Sequence, residues 1–213
     1  MEHQAAQKLG SGIKGFLFDM DGTLTVPVLD FALMRQRVGV PHGLDVLTEV
    51  EKMDDEERVR CMKIIEEMED EGIEKLQLQP GLLDLFQWIR EHSHGPYKTA
   101  IVTRNAGKAV EHFLAHSGLN FDIVLDRAFR PYKPAPEPIL HICKEWDFHL
   151  DEVLFIGDSK DDLGSASAAG CASVLIKNPK NQYLIPEATY HADTLSELIP
   201  LFESLVAKPL NSQ

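Results

Sequence analysis

Residues 13–25 read IKGFLFDMDGTLT, and the fold is decided where the apolar half of that stretch meets its acidic half. Ile13–Phe18 is a short apolar run, as a strand buried on both faces should be. It breaks off at Asp19, so its carboxyl end opens into a polar loop at the edge where α/β sheets bind their ligands. Asp19 and Asp21 leave at that edge on a chain turned by Gly22. Two carboxylates so close resist joint ionisation, and one can act as an anionic nucleophile or metal ligand while the other keeps a proton. The same Asp-x-Asp pair is common in turns and helix caps, so further residues have to decide its meaning.

Similar short runs follow at Thr99–Val102, Ile123–Leu125, Val153–Ile156 and Ala172–Ile176, separated by segments with helical spacing and turn residues. This alternation predicts an α/β fold, a Rossmann-like three-layer α/β/α arrangement around a parallel sheet. About eighty residues lie between the first two runs, far more than a crossover requires. An inserted helical cap is expected over 28–78, entered near Pro27 and left near Pro80–Gly81. The core is then 13–27 and 79–207, behind a loose tail at 1–12. Within the cap, Val59, Met62, Ile65 and Met68 recur at spacings of three and mark a candidate buried stripe. The acidic residues between Glu49 and Glu74 alternate with Lys52, Arg58, Arg60 and Lys63, as on a solvated helix face.

GDSKDD at Gly157–Asp162 follows the run VLFI and precedes a helix-like segment, so Asp158 emerges at the same sheet edge as Asp19. Carboxylates from two strand ends, a backbone carbonyl and waters form the hard oxygen site that Mg2+ prefers; Asp19, Asp21 and Asp158 are its candidate ligands. Neither loop contains His or Cys, which argues against zinc. Between the clusters stand IVTRN, with Thr103 ending a strand and Arg104 beside it, and RPYKPAPEP, with Lys133 in a proline-stiffened loop. A hydroxyl, a guanidinium and an ammonium there are candidates for binding phosphoryl oxygens.

Taken in order, DMDGTLT, the Thr of IVTRN, the Lys of YKPAPEP and GDSKDD resemble the four motifs of the haloacid dehalogenase superfamily of phosphohydrolases. The resemblance runs from about Lys14 to Ala192. It implies Asp19 as nucleophile and Asp21 as general acid and base. By the same resemblance Thr103 and Lys133 would hold the phosphoryl group, Asp158 would complete a Mg2+ site, and Asp162 would orient the waters around it. The insertion resembles the cap of the phosphoglycolate phosphatase and β-phosphoglucomutase branch. Asp21 disfavours carbon–halogen cleavage, because the dehalogenases of the superfamily lack that second carboxylate.

The formal net charge of -13 argues against nucleic acid or anionic lipid as a partner, and no apolar run approaches the ~20 residues of a membrane span. Cys61, Cys143 and Cys171 are odd in number and scattered, which points to a reducing compartment; a cytoplasmic location is expected, or an organellar one if a leader is removed. His112 and His116 read as an exposed helix face, and His92 and His94 as loop residues. Phe86, Trp88, Phe113 and Trp146 read as packing. Arg35 and Arg37, on the first cap helix, are candidate contacts for a substrate anion. The expected function is Mg2+-dependent hydrolysis of a small phosphorylated metabolite by a monomer or small homo-oligomer. A phosphomutase, or a non-catalytic binding protein on the same fold, is the alternative.

Overall fold

The computed structural model describes residues 12–91 and 97–206. The sequence from 1 to 11, with most of the expected tail, lies outside the described residues, as do His92 and His94. Six strands form one parallel sheet: β1 Gly15–Phe18, β2 Lys98–Val102, β3 Ile123–Leu125, β4 Val153–Gly157, β5 Ala172–Ile176 and β6 Tyr190–Ala192. Their order is β3-β2-β1-β4-β5-β6. The chain therefore winds outward from β1 through β2 to β3, then returns to β4 on the other side of β1. That reversal leaves a crevice between the carboxyl ends of β1 and β4. β6 was not anticipated from the sequence, since three residues with only Ala192 buried carry too weak a pattern to stand out from a loop.

Every residue of β1 is buried, so the strand shows no alternation of polar and apolar side chains although its two faces meet different partners. On one face Leu17 and Phe155 pack with Ile139, Ile142, Cys143 and Trp146 of helix α6 (Glu137–Trp146) and with Ala166 of α7 (Lys160–Ala169). On the other, Phe18 meets Phe86 of α4 (Leu82–Glu91), and Phe16 stacks on Phe202 of α8 (Leu198–Val206) at 4.2 Å between ring centroids. Helix α5 (Gly107–Ser117) buries Phe113 and leaves His112 and His116 exposed, their rings stacked on each other. Phe202 is fully buried and also lies against Trp88. Phe202→Ala is expected to destabilise the protein by about 3–5 kcal/mol, read as a lower midpoint in urea denaturation; a loss below about 1 kcal/mol would mean that the site closes over the missing ring.

The chain divides into two compact units, one from Pro27 to Gln77 and the other from the residues on either side of it. The expected boundaries were 28 and 78. The inserted unit contains α1 (Phe31–Val38), α2 (Val46–Glu51) and α3 (Asp55–Ile73), and Asp30, Asp45 and Asp54 cap their first turns through side-chain hydrogen bonds to backbone N–H groups. Its core is Met34, Val38, Val40, Val46, Val50, Cys61, Ile65 and Met68. The stripe read from the sequence is corrected here: Val59 is 69% exposed, and Cys61 occupies the buried position instead. Steps of four and three from Cys61 to Ile65 to Met68 follow the 3.6-residue turn, whereas steps of three drift off the face. The acidic residues of α3 pair along its exposed side, as in Arg60–Glu57 and Arg58–Asp55. Arg35 donates from Nε to the Leu44 carbonyl and from Nη1 to the Phe31 carbonyl, which ties it to its own unit. All three cysteines are buried and unbridged. No helix among the described residues is long and apolar enough to cross a membrane.

Candidate active site

Strand register brings the acidic loops together. Phe18 pairs with Ile156, and the Asp19 amide donates to the Ile156 carbonyl at 2.9 Å. Asp19 is the first residue beyond β1 and Asp158 the first beyond β4, so two carboxylates leave neighbouring parallel strands at nearly the same level. Oxygens of Asp19, Asp158 and Asp162 all lie within 4.8 Å of one another.

Asp162 reaches this cluster from the first turn of α7. Its Oδ2 accepts from the Ser159 amide (2.9 Å), the Ser159 hydroxyl (2.7 Å) and the Asp158 amide (3.1 Å), while Ser159 Oγ accepts in return from the Asp162 amide. The GDSKDD segment thus builds a reciprocal helix cap, and the capping carboxylate is completely buried. A Cβ on Gly157 would stand 2.5 Å from the Asp162 side chain, so only glycine admits that approach. Gly22 has the same importance on the other side: its φ is +86°, and a Cβ there would lie 2.3 Å from Asp158 Oδ2.

Lys133 sits among these acids, 3% exposed, with Nζ 2.5 Å from Asp19 Oδ1 and 2.6 Å from Asp162 Oδ1. Its loop is anchored to α7 by the Ser165 hydroxyl, which donates to the Ala135 carbonyl at 2.7 Å. The small residues of GSASAAG permit this, for a Cβ on Gly164 would already come within 3.2 Å of Pro134. Burial opposes the Lys133 ammonium, but Asp162 and Asp19 together outweigh it and hold its pKa above the ordinary value. Burial pushes Asp19 well above the carboxylate range; Lys133 opposes that shift, while Asp162 and Asp158 add to it. Burial also raises Asp158, with help from Asp162 and Asp21, to about 7.

The remaining sequence candidates take different places. Asp21 stands apart from the three-carboxylate cluster: its Oδ1 accepts from the Thr25 hydroxyl and its Oδ2 from the Asn105 amide, both at 3.0 Å. Thr103 is 4% exposed, and its hydroxyl accepts from the Asn105 backbone N–H at 3.2 Å. Arg104 is engaged by Asp161 and lies 5.2 Å from the Tyr132 ring, so its guanidinium braces the Thr103 loop against α7 and the Lys133 loop. Asn105 and Thr25 were missed by sequence reasoning, although both lie within quoted motifs. Amide and hydroxyl side chains in loops have too many local uses to be singled out without their partner in view.

The donor set is suited to a hard cation. Three carboxyl groups cluster beside one ammonium; fully ionised they would carry more negative charge than Lys133 offsets, and every donor is an oxygen. Raised carboxyl pKa values are the expected sign of a site whose charge balance a divalent cation would complete.

Comparison with known proteins places this geometry in a family. The model of the haloacid dehalogenase-like hydrolases matches residues 36–176, a span that includes Thr103, Lys133, Asp158 and Asp162, with Asp19 and Asp21 upstream of it. A haloacid dehalogenase-like hydrolase domain-containing protein of Arabidopsis thaliana is 39% identical, over 77% of this chain and 71% of its own length. An uncharacterized hydrolase of Saccharomyces cerevisiae is 37% identical, over 91% and 92% respectively. A phosphoglycolate phosphatase of Haemophilus influenzae is 32% identical over 46% of this chain and 44% of its own. Among solved structures, a predicted phosphoglycolate phosphatase from Haemophilus somnus shares the fold, with a TM-score of 0.69 at 21% identity over 89% of this chain and 97% of that one. The chain belongs to the haloacid dehalogenase-like hydrolase family, and phosphoglycolate phosphatases are among its homologues.

Proposed function

We propose that the protein is a Mg2+-dependent phosphatase that hydrolyses a small phosphate monoester through an aspartyl-phosphate on Asp19. The observation that carries this reading is the placement of Lys133 between Asp19 and Asp162, with Asp158 in the same cluster. A buried ammonium against a strand-end carboxylate supplies a positive charge beside a nucleophile, which is what attack on a dianionic phosphate needs.

Asp19 Oδ attacks phosphorus, the bond from phosphorus to the ester oxygen breaks, and Asp21 gives its proton to the departing alkoxide. Water then attacks the phosphorus of the aspartyl-phosphate while Asp21 takes the proton back, and inorganic phosphate leaves with Asp19 regenerated. Thr25 and Asn105 grip both oxygens of Asp21 and keep it aimed through both half-reactions. Thr103 and Lys133 are assigned to the phosphoryl oxygens, and Arg104 to keeping the Thr103 loop in place. Asp19, Asp158 and the loop at Asp21 would hold Mg2+, with Asp162 orienting Asp158 through its amide. Bound there, Mg2+ would neutralise charge on the phosphoryl oxygens and help to set phosphorus in line.

Phosphate release from a panel of phosphorylated metabolites should depend strictly on Mg2+, with Ca2+ a poor substitute because its larger coordination shell displaces phosphorus from Asp19. Full activity after exhaustive chelation would overturn the metal assignment. Interconversion of sugar phosphates without release of free phosphate would favour a mutase.

A further inference from the structure

A pair of asparagines beyond β5 reaches the same acidic cluster, although the sequence offers no motif there. Asn181 is 5% exposed, and its side-chain amide is fully used. Nδ2 donates to the Asp158 carbonyl at 2.7 Å and to the Ile176 carbonyl at 2.9 Å, while Oδ1 accepts from the Asn178 backbone N–H at 2.8 Å. Two carbonyls on one end and an N–H on the other admit a single orientation of that amide. Asn178 is fixed in turn: its Oδ1 accepts from the Lys180 N–H at 2.9 Å, which directs Nδ2 to Asp158 Oδ2 at 3.1 Å.

We propose that Asn178, held by Asn181, is a positioning residue that sets the rotation of the Asp158 carboxylate and thereby the affinity of the acidic cluster for its divalent cation. The inference rests on the phosphatase reading above. A lysine in the place of Asn178 would compete with the cation as a counter-charge. A neutral amide orients one carboxylate oxygen, leaves the other to the cluster and adds no charge. Hydrogen bonds of this kind behind a metal ligand are worth about 10–100-fold in metal affinity.

Binding of Mn2+ to the purified full chain, followed by electron paramagnetic resonance, tests this without recourse to turnover. Asn178→Ala should weaken Mn2+ binding about tenfold, move the Mg2+ activation curve by a similar factor, and recover most of the native kcat at saturating Mg2+. Its melting temperature without metal should match the native value, because Asn181 still ties the loop to Asp158 and Ile176. Mn2+ binding within twofold of native would overturn the proposal and leave the phosphatase reading intact. Failure of the native protein to bind Mn2+ at all would overturn both. A metal-free melting temperature that falls in Asn178→Ala with unchanged Mn2+ binding would assign Asn178 to loop stability alone.

Discussion

Asp19→Asn is expected to lower kcat by about 10⁴-fold or more and to leave the protein without a phosphoryl adduct, whatever the substrate. The amide is a poor nucleophile, and it also removes one of the three carboxylates of the cluster. Asp21→Asn should behave differently, because the proposed mechanism uses Asp21 once as an acid and once as a base. An aryl or acyl phosphate needs no proton on its leaving group, so it should still phosphorylate Asp19 in that variant. Water then lacks its base, and the phosphorylated protein should accumulate. Mass spectrometry of quenched reactions compares the two. An adduct on Asp19→Asn, or one mapped to another residue of the native protein, would remove Asp19 from the role.

Lys133→Met should lower stability as much as Phe202→Ala, and in a pH-dependent way. Among the described residues, Lys133 is the cation that pairs with Asp19 and Asp162, and both of those carboxylates are buried. Removing it leaves two uncompensated acids in the interior, a cost of about 3–5 kcal/mol. The sign of the pH dependence follows from the direction of the shifts. Asp19 is already held above its ordinary pKa, and losing Lys133 takes away the main influence that lowers it. A carboxyl group whose pKa is higher in the folded than in the unfolded state favours folding while protonated, and that contribution disappears as pH rises through the folded-state value. Lys133→Met should therefore be closer to native in stability near pH 5 than near pH 8. Activity should fall by about 10²–10³-fold with the loss of the charge that the proposed function assigns to the phosphoryl oxygens. Urea denaturation at the two pH values is the measurement; a variant that loses under about 1 kcal/mol at pH 8 would show that the acids find other partners.

The parallel sheet was legible because buried parallel strands leave a signal that survives in one dimension, namely short apolar runs at intervals that a helix can fill. Asp19 and Asp158 could be named for a related reason, whereas Lys133 and Asp162 took their roles from the family resemblance. Strand ends in an α/β sheet must converge on one edge, so polar residues that follow successive strands are brought together by topology before any side chain is considered. The exposed Val59 and the short strand β6 mark the limit of that logic, since a periodic pattern fixes a face only to within a turn and three residues scarcely form a pattern.

What only the tertiary structure decided is which atom meets which. Asp21 lies close to Asp19 in sequence yet turns to Thr25 and Asn105, while Asp162, far along the chain, joins the Asp19 cluster. Arg104 adjoins Thr103 yet is taken up by Asp161. Asn178 and Asn181 follow a strand with no motif attached and still reach Asp158. Sequence order and strand alternation set where a residue enters the site. Side-chain rotation, settled by hydrogen-bond partners up to 114 positions away, sets what it does there.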